Sequence, residues 1–312
     1  MEVRLANPRG FCAGVDRAIE IVKRALALYG APVYVLHEIV HNTHVLQELL
    51  AQGAVFVQGL EDVPREAVAI FSAHGVSDAV VAKARERALR VIDATCPLVT
   101  KVHVQAARYA EQGREIVLIG HPGHPEVEGT RGRISGKVHV LSTVQEVEEL
   151  EVDDPDELAY VTQTTLSVDD TRATIDALVR RFPKVRGPEL RDICYATQNR
   201  QNAVRQLAPQ VDVLLVVGSP NSSNSRRLQE LGERSGIQAY LLDDPDQLQA
   251  SWLAGKARVG VTAGASAPEA LVGEILERIA RSGPVTRVVD VDAEPERVVF
   301  QMPEELEAYA DE

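Results

Sequence analysis

The 312-residue sequence predicts an α/β protein made of three pseudo-repeated α/β units with mainly parallel sheets. Three observations carry that prediction. Short apolar runs rich in Val, Ile and Leu alternate with helix-periodic stretches along most of the chain, as in parallel strands covered on both faces. The three cysteines, Cys12, Cys96 and Cys194, lie 84 and 98 residues apart, and each ends a strand-like run and begins a helix-like one. Polar turns then recur at similar offsets from each cysteine: His41 at 29, His124 at 28 and Ser222 at 28, followed by His74 at 62, Thr164 at 68 and Ser266 at 72. Identity between the units is low, so the repeat is one of order and spacing.

The first unit, 13–96, opens with a helix over 15–29, where Ile19, Val22, Ala25 and Leu26 fall at helical spacing before Gly30. A strand over 32–39 ends in His41-Asn42-Thr43-His44, and a helix over 45–52 leads to strands at 54–57 and 67–71. The second of these runs into Ser72-Ala73-His74-Gly75-Val76-Ser77, before a helix over 78–88 and a strand over 90–94.

The second unit, 97–193, repeats the order. A helix over 99–111 and a strand over 115–119 lead into Gly120-His121-Pro122-Gly123-His124-Pro125-Glu126. Strands over 137–141 and 158–162 follow, the latter running into Gln163-Thr164-Thr165-Leu166-Ser167, then a helix over 169–182 and a strand over 189–193.

The third unit, 194–282, has a helix over 197–207, a strand over 211–217, then Gly218-Ser219-Pro220-Asn221-Ser222-Ser223-Asn224-Ser225. A helix over 226–235, strands over 238–242 and 258–262, Ala263-Gly264-Ala265-Ser266-Ala267-Pro268-Glu269 and a helix over 271–281 complete it. The closing strand it lacks is expected from 3–6, within the N-terminal segment 1–12. A tail, 283–312, carries a strand over 285–291, an apolar run at 298–302 and an acidic end from 303. The acidic loop 153–157 reads as a solvated turn.

Composition narrows the function. A formal charge of −13 argues against nonspecific binding to nucleic acid or an anionic membrane, and no apolar run reaches the length of a transmembrane helix. An odd number of widely spaced cysteines argues against a disulfide framework, and with no signal-peptide core at the start it predicts a cytoplasmic protein. No Walker motif and no GxGxxG after a strand is present, which disfavours NTPases and dinucleotide enzymes.

The cysteine spacing leaves two readings open: ligands of a metal or iron–sulfur centre, or three unrelated buried thiols. Neither a CxxC pair nor a fourth cysteine is present, unlike most zinc and iron–sulfur sites. His41, His74, Ser222, Ser223, Asn224 and Ser266 stand in turns before helices, where free backbone N–H groups suit phosphate. Each alone also reads as a helix cap or turn residue. Glu126, in a Pro/Gly-rich loop with His121 and His124, reads either as a tuned proton donor or as a surface carboxylate at a helix start. His37, His44, His103 and His139 read as structural or surface residues, and Trp252 as a helix anchor in the third unit.

These motifs together resemble the 4-hydroxy-3-methylbut-2-enyl diphosphate reductase family. The resemblance rests on Arg9-Gly10-Phe11-Cys12-Ala13-Gly14-Val15, His37-Glu38-Ile39-Val40-His41-Asn42, Ser72-Ala73-His74-Gly75-Val76 and Asp93-Ala94-Thr95-Cys96-Pro97-Leu98-Val99, with the 120–126 and 162–167 loops. Cys194-Tyr195-Ala196-Thr197-Gln198-Asn199-Arg200-Gln201 and the 221–225 and 263–269 loops extend it from residue 3 to about 281.

The resemblance implies three units around a central 4Fe–4S cluster held by Cys12, Cys96 and Cys194. It implies a diphosphate held by His41, His74, Ser222, Asn224 and Ser266, with Ser223 adjacent and His124 lining the pocket. Thr164 would touch the substrate hydroxyl and Glu126 would relay protons. The implied reaction is a reductive dehydroxylation giving isopentenyl and dimethylallyl diphosphate, with ferredoxin or flavodoxin as electron donor. The rivals are a three-unit cluster enzyme of the quinolinate synthase kind, a non-catalytic iron–sulfur carrier, and a metal-free phosphate-binding protein with inert thiols.

Overall fold

The computed structural model describes residues 1–188, 192–291 and 296–307. Along the chain, β1 (Glu2–Leu5) and α1 (Ala13–Tyr29) precede β2 (Val33–Leu36), α2 (Thr43–Ala51), β3 (Ala54–Val57), β4 (Val68–Phe71), α3 (Asp78–Glu86) and β5 (Arg90–Asp93). Next come α4 (Pro97–Glu111), β6 (Glu115–Ile119), α5 (Pro125–Arg131), β7 (Val138–Leu141), α6 (Val144–Glu149), β8 (Leu158–Thr162) and α7 (Val168–Arg181). The last stretch holds α8 (Tyr195–Leu207), β9 (Val213–Val217), α9 (Ser223–Arg234), β10 (Gln238–Leu242), α10 (Ala250–Leu253), β11 (Arg258–Ala263), α11 (Glu269–Ser282), β12 (Arg287–Asp290) and α12 (Glu304–Glu307). The described residues form three sheets, parallel throughout, as the alternation of strands and helices predicts. No helix among them is long and apolar enough to cross a membrane.

The chain divides into two compact units. One comprises Met1–Asp16, His41–Val45 and Tyr195–Val299. Its sheet runs β10-β9-β11-β1-β12, so the first strand of the chain lies inside the sheet of the last third. β12 adds the edge beyond β1, with Leu5 beside Asp290. In β9 every residue is buried: Val213, Leu215 and Val217 face the layer of Leu271, Ile275 and Ile279, while Leu214 and Val216 face Val204, Leu207 and Leu228. This two-sided burial is why the strand reads as an unbroken apolar run. Trp252 stacks on Tyr240 at 4.0 Å beside the first of these layers, the anchoring role expected of it.

The other unit comprises Arg17–Val40, Leu46–Cys194 and Phe300–Glu312, with sheets β3-β2-β4-β5 and β7-β6-β8. β6 repeats the two-sided pattern, Val117 and Ile119 packing with Leu178 and Phe182, Ile116 and Leu118 with Val102 and Val127.

Helix starts differ from the sequence reading in one informative way. α1, α4, α8, α9 and α11 begin two or three residues before the first residue of apolar periodicity, so each cysteine-led helix starts directly after its cysteine. Periodicity marks the buried stripe and misses the first turn, which in α9 is set by the Ser222 cap. α4 has Cys96 at its N-cap and Pro97 in its first turn. The strand expected over 189–193 is only partly within view: 189–191 lie outside the described residues, and Asp192 and Ile193 form a turn. The Asp192 carboxylate there accepts the Thr162 N–H at 3.3 Å. The sequence offers α5 only as a helix start at Glu126, in one of two readings, and α6 not at all; α6 is set by a Thr143–Glu146 capping box. The 298–302 run forms no strand, and the acidic loop 153–157 is solvent-exposed as read. The far end of the tail, 308–312, lies outside the described residues.

Candidate active site

In the two-sheet unit, functional side chains gather where β4, β6 and β8 end. Glu126 stands in the first turn of α5, which His124 caps through its ring: Nδ1 accepts the Glu126 N–H at 3.1 Å. A ring nitrogen that accepts carries no proton, so the His124 proton sits on Nε2. The His124 ring meets that of His74 edge-on at 5.9 Å, and His74 Nδ1 lies 3.3 Å from Ser72 Oγ.

Glu126 is buried, with 3% of its surface exposed. Its Oε1 accepts the Thr164 N–H at 2.6 Å and its Oε2 accepts the Thr164 hydroxyl at 3.0 Å. Burial pushes its pKa up to about 7, against the pull of both Thr164 bonds and with a smaller push from the Asp192 charge. Of the two sequence readings, a tuned proton donor fits this carboxyl and a surface glutamate does not. Thr164 also receives the Cys194 N–H on its carbonyl at 3.1 Å, so one residue holds the carboxyl and the cysteine backbone.

Thr164→Val is expected to move the Glu126 pKa further up, because the bond it removes favours the charged form. The cost is about 1 kcal/mol of stability for the lost hydrogen bond. A 13C-carboxyl titration by NMR checks this, and a fall in the pKa would contradict it.

The loop carrying His74 is clamped to α5. A Cβ on Gly129 would lie 2.9 Å from the Gly75 carbonyl oxygen, so the two backbones touch. Arg133 Nε donates to the Val76 carbonyl at 2.7 Å and its Nη1 to Asp78 at 2.8 Å. Beneath the loop, the His103 ring packs where a Gly75 side chain would project. Burial, helped by the Arg133 charge, lowers the His103 pKa to about 4, so this histidine is neutral and structural, as read. His139 pairs with Glu115 at 2.8 Å, a surface role.

Cys96 belongs to the same unit. Its N–H donates to the Ala73 carbonyl at 3.0 Å, and Arg17 Nη1 donates to the preceding Thr95 carbonyl at 3.1 Å.

The five-stranded unit presents a second constellation. Ser222 caps α9, accepting the Ser225 N–H at 3.4 Å and the Ser225 hydroxyl at 3.1 Å. Ser225 fills the space that side chains at Gly218 or Gly264 would occupy. Ser223 and Asn224 form the buried first turn of the helix. Neither the amide nitrogen nor the oxygen of Asn224 has a hydrogen-bond partner among the described residues, although both atoms are buried. Such groups are costly unless something binds them. The Ser266 hydroxyl donates to the His41 carbonyl at 2.9 Å, joining two further predicted residues. Asn42, not singled out from sequence, caps α2 by accepting the Val45 N–H at 3.0 Å, and His44 meets the Asp243 carbonyl at 3.0 Å.

Cys12 precedes α1 in this unit. Its N–H donates to the Ala265 carbonyl at 3.2 Å, and its thiol receives the backbone N–H groups of Val15 and Gly14. Burial raises the thiol pKa, while those N–H groups and the Arg200 charge lower it. Gly10, two residues earlier, adopts φ +69, which favours glycine.

None of the three cysteines is in a disulfide. Each directly precedes a helix. Among the described residues no three His, Cys, Asp or Glu side chains close on a single metal ion. A cube-shaped cluster makes a different demand, since each thiolate meets its own iron. The three free thiols are of the chemical type that ligates iron–sulfur clusters.

The chain is thus an α/β protein with a buried carboxyl near neutrality, a buried polar start to α9 and three cysteines that each directly precede a helix. The family model described as LytB protein matches residues 3–280, and the chain belongs to that family. It is 59% identical over 307 residues to the 4-hydroxy-3-methylbut-2-enyl diphosphate reductase of Azoarcus sp., covering 98% of both chains. It is 57% identical over 311 residues to the reductase of the same name from Stenotrophomonas maltophilia, again covering 98% of each. The solved structure of the E-1-hydroxy-2-methyl-but-2-enyl-4-diphosphate reductase from Plasmodium falciparum superposes with a TM-score of 0.91 at 35% identity, over 98% of this chain and 97% of that one.

Proposed function

We propose that this chain catalyses the reductive dehydroxylation of (E)-4-hydroxy-3-methylbut-2-enyl diphosphate to isopentenyl and dimethylallyl diphosphate, the last step of the methylerythritol phosphate route to isoprenoids. The observation that carries the reading furthest is Glu126, a buried carboxyl with a pKa of about 7 held by Thr164. The reaction takes up two electrons and two protons: the allylic C–O bond breaks, one proton leaves with the hydroxyl as water, and the other ends on carbon. A carboxyl half-protonated at neutral pH suits the first transfer.

Cys12, Cys96 and Cys194 would hold the 4Fe–4S cluster. When bound, such a cluster supplies single electrons and an iron without a protein ligand as a Lewis acid. Thr164 would orient the substrate hydroxyl and keep Glu126 aimed at it. His41, His74, Ser222, Asn224 and Ser266, with Ser223 and His124 beside them, would bind the diphosphate, the imidazoles through ring N–H donors and α9 through its N-terminal N–H groups. The proposed enzyme works in the cytoplasm with ferredoxin or flavodoxin as electron donor, as the resemblance implies.

Oxygen-free purification tests the whole reading: iron and sulfide content and visible absorption are recorded, then substrate and reductant are added and the products identified. Formation of both five-carbon diphosphates is expected. A folded, iron-free, colourless protein would overturn the cluster assignment, and an intact cluster without turnover would favour an electron carrier. Asn224→Ala adds a sharper expectation. Its amide makes no hydrogen bond among the described residues, so removing it should leave the unliganded protein as stable as before. Hydrogen bonds to a charged group are worth about 1.5–3 kcal/mol, so KM should rise roughly 10- to 100-fold. An unchanged KM would remove Asn224 from the diphosphate site.

A further inference from the structure

Arg200 is the largest side chain with no exposed surface among the described residues. It lies on α8 beside the polar residues Gln198, Asn199 and Gln201. Nε and Nη2 both donate to the Gly10 carbonyl, at 3.0 and 2.7 Å, and Nη2 also donates to the Phe11 carbonyl at 3.1 Å. Nη1 donates to the Ala196 carbonyl at 3.0 Å. The charge is met by Glu296, whose carboxylate receives Nη1 at 3.1 and 3.2 Å and Nη2 at 3.3 Å. Glu296 is in turn fixed by the Asn199 amide at 2.9 Å. One guanidinium thus ties the two residues immediately before Cys12 to a carboxylate 284 residues further on, outside the 3–280 span of the family match.

We propose that Arg200 and Glu296 are positioning residues for Cys12, and that the C-terminal segment, through Glu296, locks the loop that presents this thiol. The loop needs such a lock. Gly10 sits at a positive φ, and besides the Arg200 bonds the Gly10 and Cys12 N–H groups reach the 263–265 loop only through 3.2 Å contacts. A buried arginine with five donors can satisfy two adjacent carbonyls that turn away from regular structure, and a carboxylate is what allows the charge to be buried. The Cys96 loop has a similar device in the other unit: Arg17 donates to the Thr95 carbonyl and, through Nε, to the Gln301 carbonyl at 2.7 Å.

The proposal takes Cys12 as a cluster ligand from the proposed function, so the test reads the loop without the cluster. Hydrogen exchange of the iron-free full chain is followed by mass spectrometry in wild type and in Arg200→Gln/Glu296→Gln, which removes both charges and leaves neither buried alone. Exchange in the peptide covering 10–16 is expected to rise about tenfold, with the peptide covering 97–111 unchanged as the internal control. Wild-type exchange at 10–16 would overturn the proposal. Asn199→Ala, which removes only a support of Glu296, carries the same test if the double variant does not fold: a rise of about threefold confined to 10–16 supports the lock, and no change overturns it. Iron content after anaerobic reconstitution is read separately. Iron absent even from wild type would refute the cluster reading and leave the exchange result standing.

Discussion

Glu126→Gln is expected to lower turnover about 10²- to 10⁴-fold, the usual worth of a general acid, while iron content stays at the wild-type level. The side chains are nearly isosteric, and the glutamine carbonyl can still accept the Thr164 N–H that Oε1 accepts at 2.6 Å. What is lost is the transferable proton. Stability moves the other way. Burial raises the Glu126 pKa from 4.5 to about 7, so the folded state holds a proton that the unfolded chain releases in between. Its contribution is fully present below pH 4.5 and is lost as pH rises through 7, a difference of about 3 kcal/mol. Denaturant unfolding of the iron-free proteins should therefore show wild type and Glu126→Gln approaching each other at pH 4.5 and the variant gaining by up to about 3 kcal/mol at pH 8. In the loaded wild-type enzyme, kcat should fall above about pH 7 as the carboxyl ionises. Wild-type turnover in the variant, or a stability gap that does not grow with pH, would take Glu126 out of the proton path.

Much of this site is visible in the sequence because its residues stand in turns directly after apolar strands. β6 and β8 have the bounds their apolar runs predict, since a strand buried on both faces has little choice of composition. The turns after them follow from strand order. What stays hidden is whatever depends on distant parts of the chain. Arg200 lies in Gln198-Asn199-Arg200-Gln201, a polar run within the helix expected over 197–207; its burial depends on Gly10 and on Glu296. α5 has seven residues and few apolar ones, so no periodicity betrays it, although His124-Pro125-Glu126 carries a cap, a first-turn proline and an acidic first turn. The environment of Glu126 is hidden for the same reason. Spacing places it in a polar loop, and only the approach of Thr164 from the end of β8 makes that loop an interior.

Cys194→Ser separates the two chemistries that meet at Thr164. A serine hydroxyl does not ionise near neutral pH and is a poor substitute for a thiolate on iron, so the variant is expected to reconstitute with little or no cluster and to show no turnover. The change does not touch the bond from the residue-194 N–H to the Thr164 carbonyl, nor the two bonds from Thr164 to Glu126. The carboxyl should therefore keep its pKa of about 7. Unfolding of iron-free Cys194→Ser should show the same loss of stability between pH 4.5 and pH 8 as iron-free wild type, the loss that Glu126→Gln lacks. A full cluster in the variant would end the ligand assignment for Cys194. Loss of the pH dependence would show instead that the thiol itself shapes the carboxyl's surroundings, and that proton donor and cluster ligand cannot be treated as separate groups in this fold.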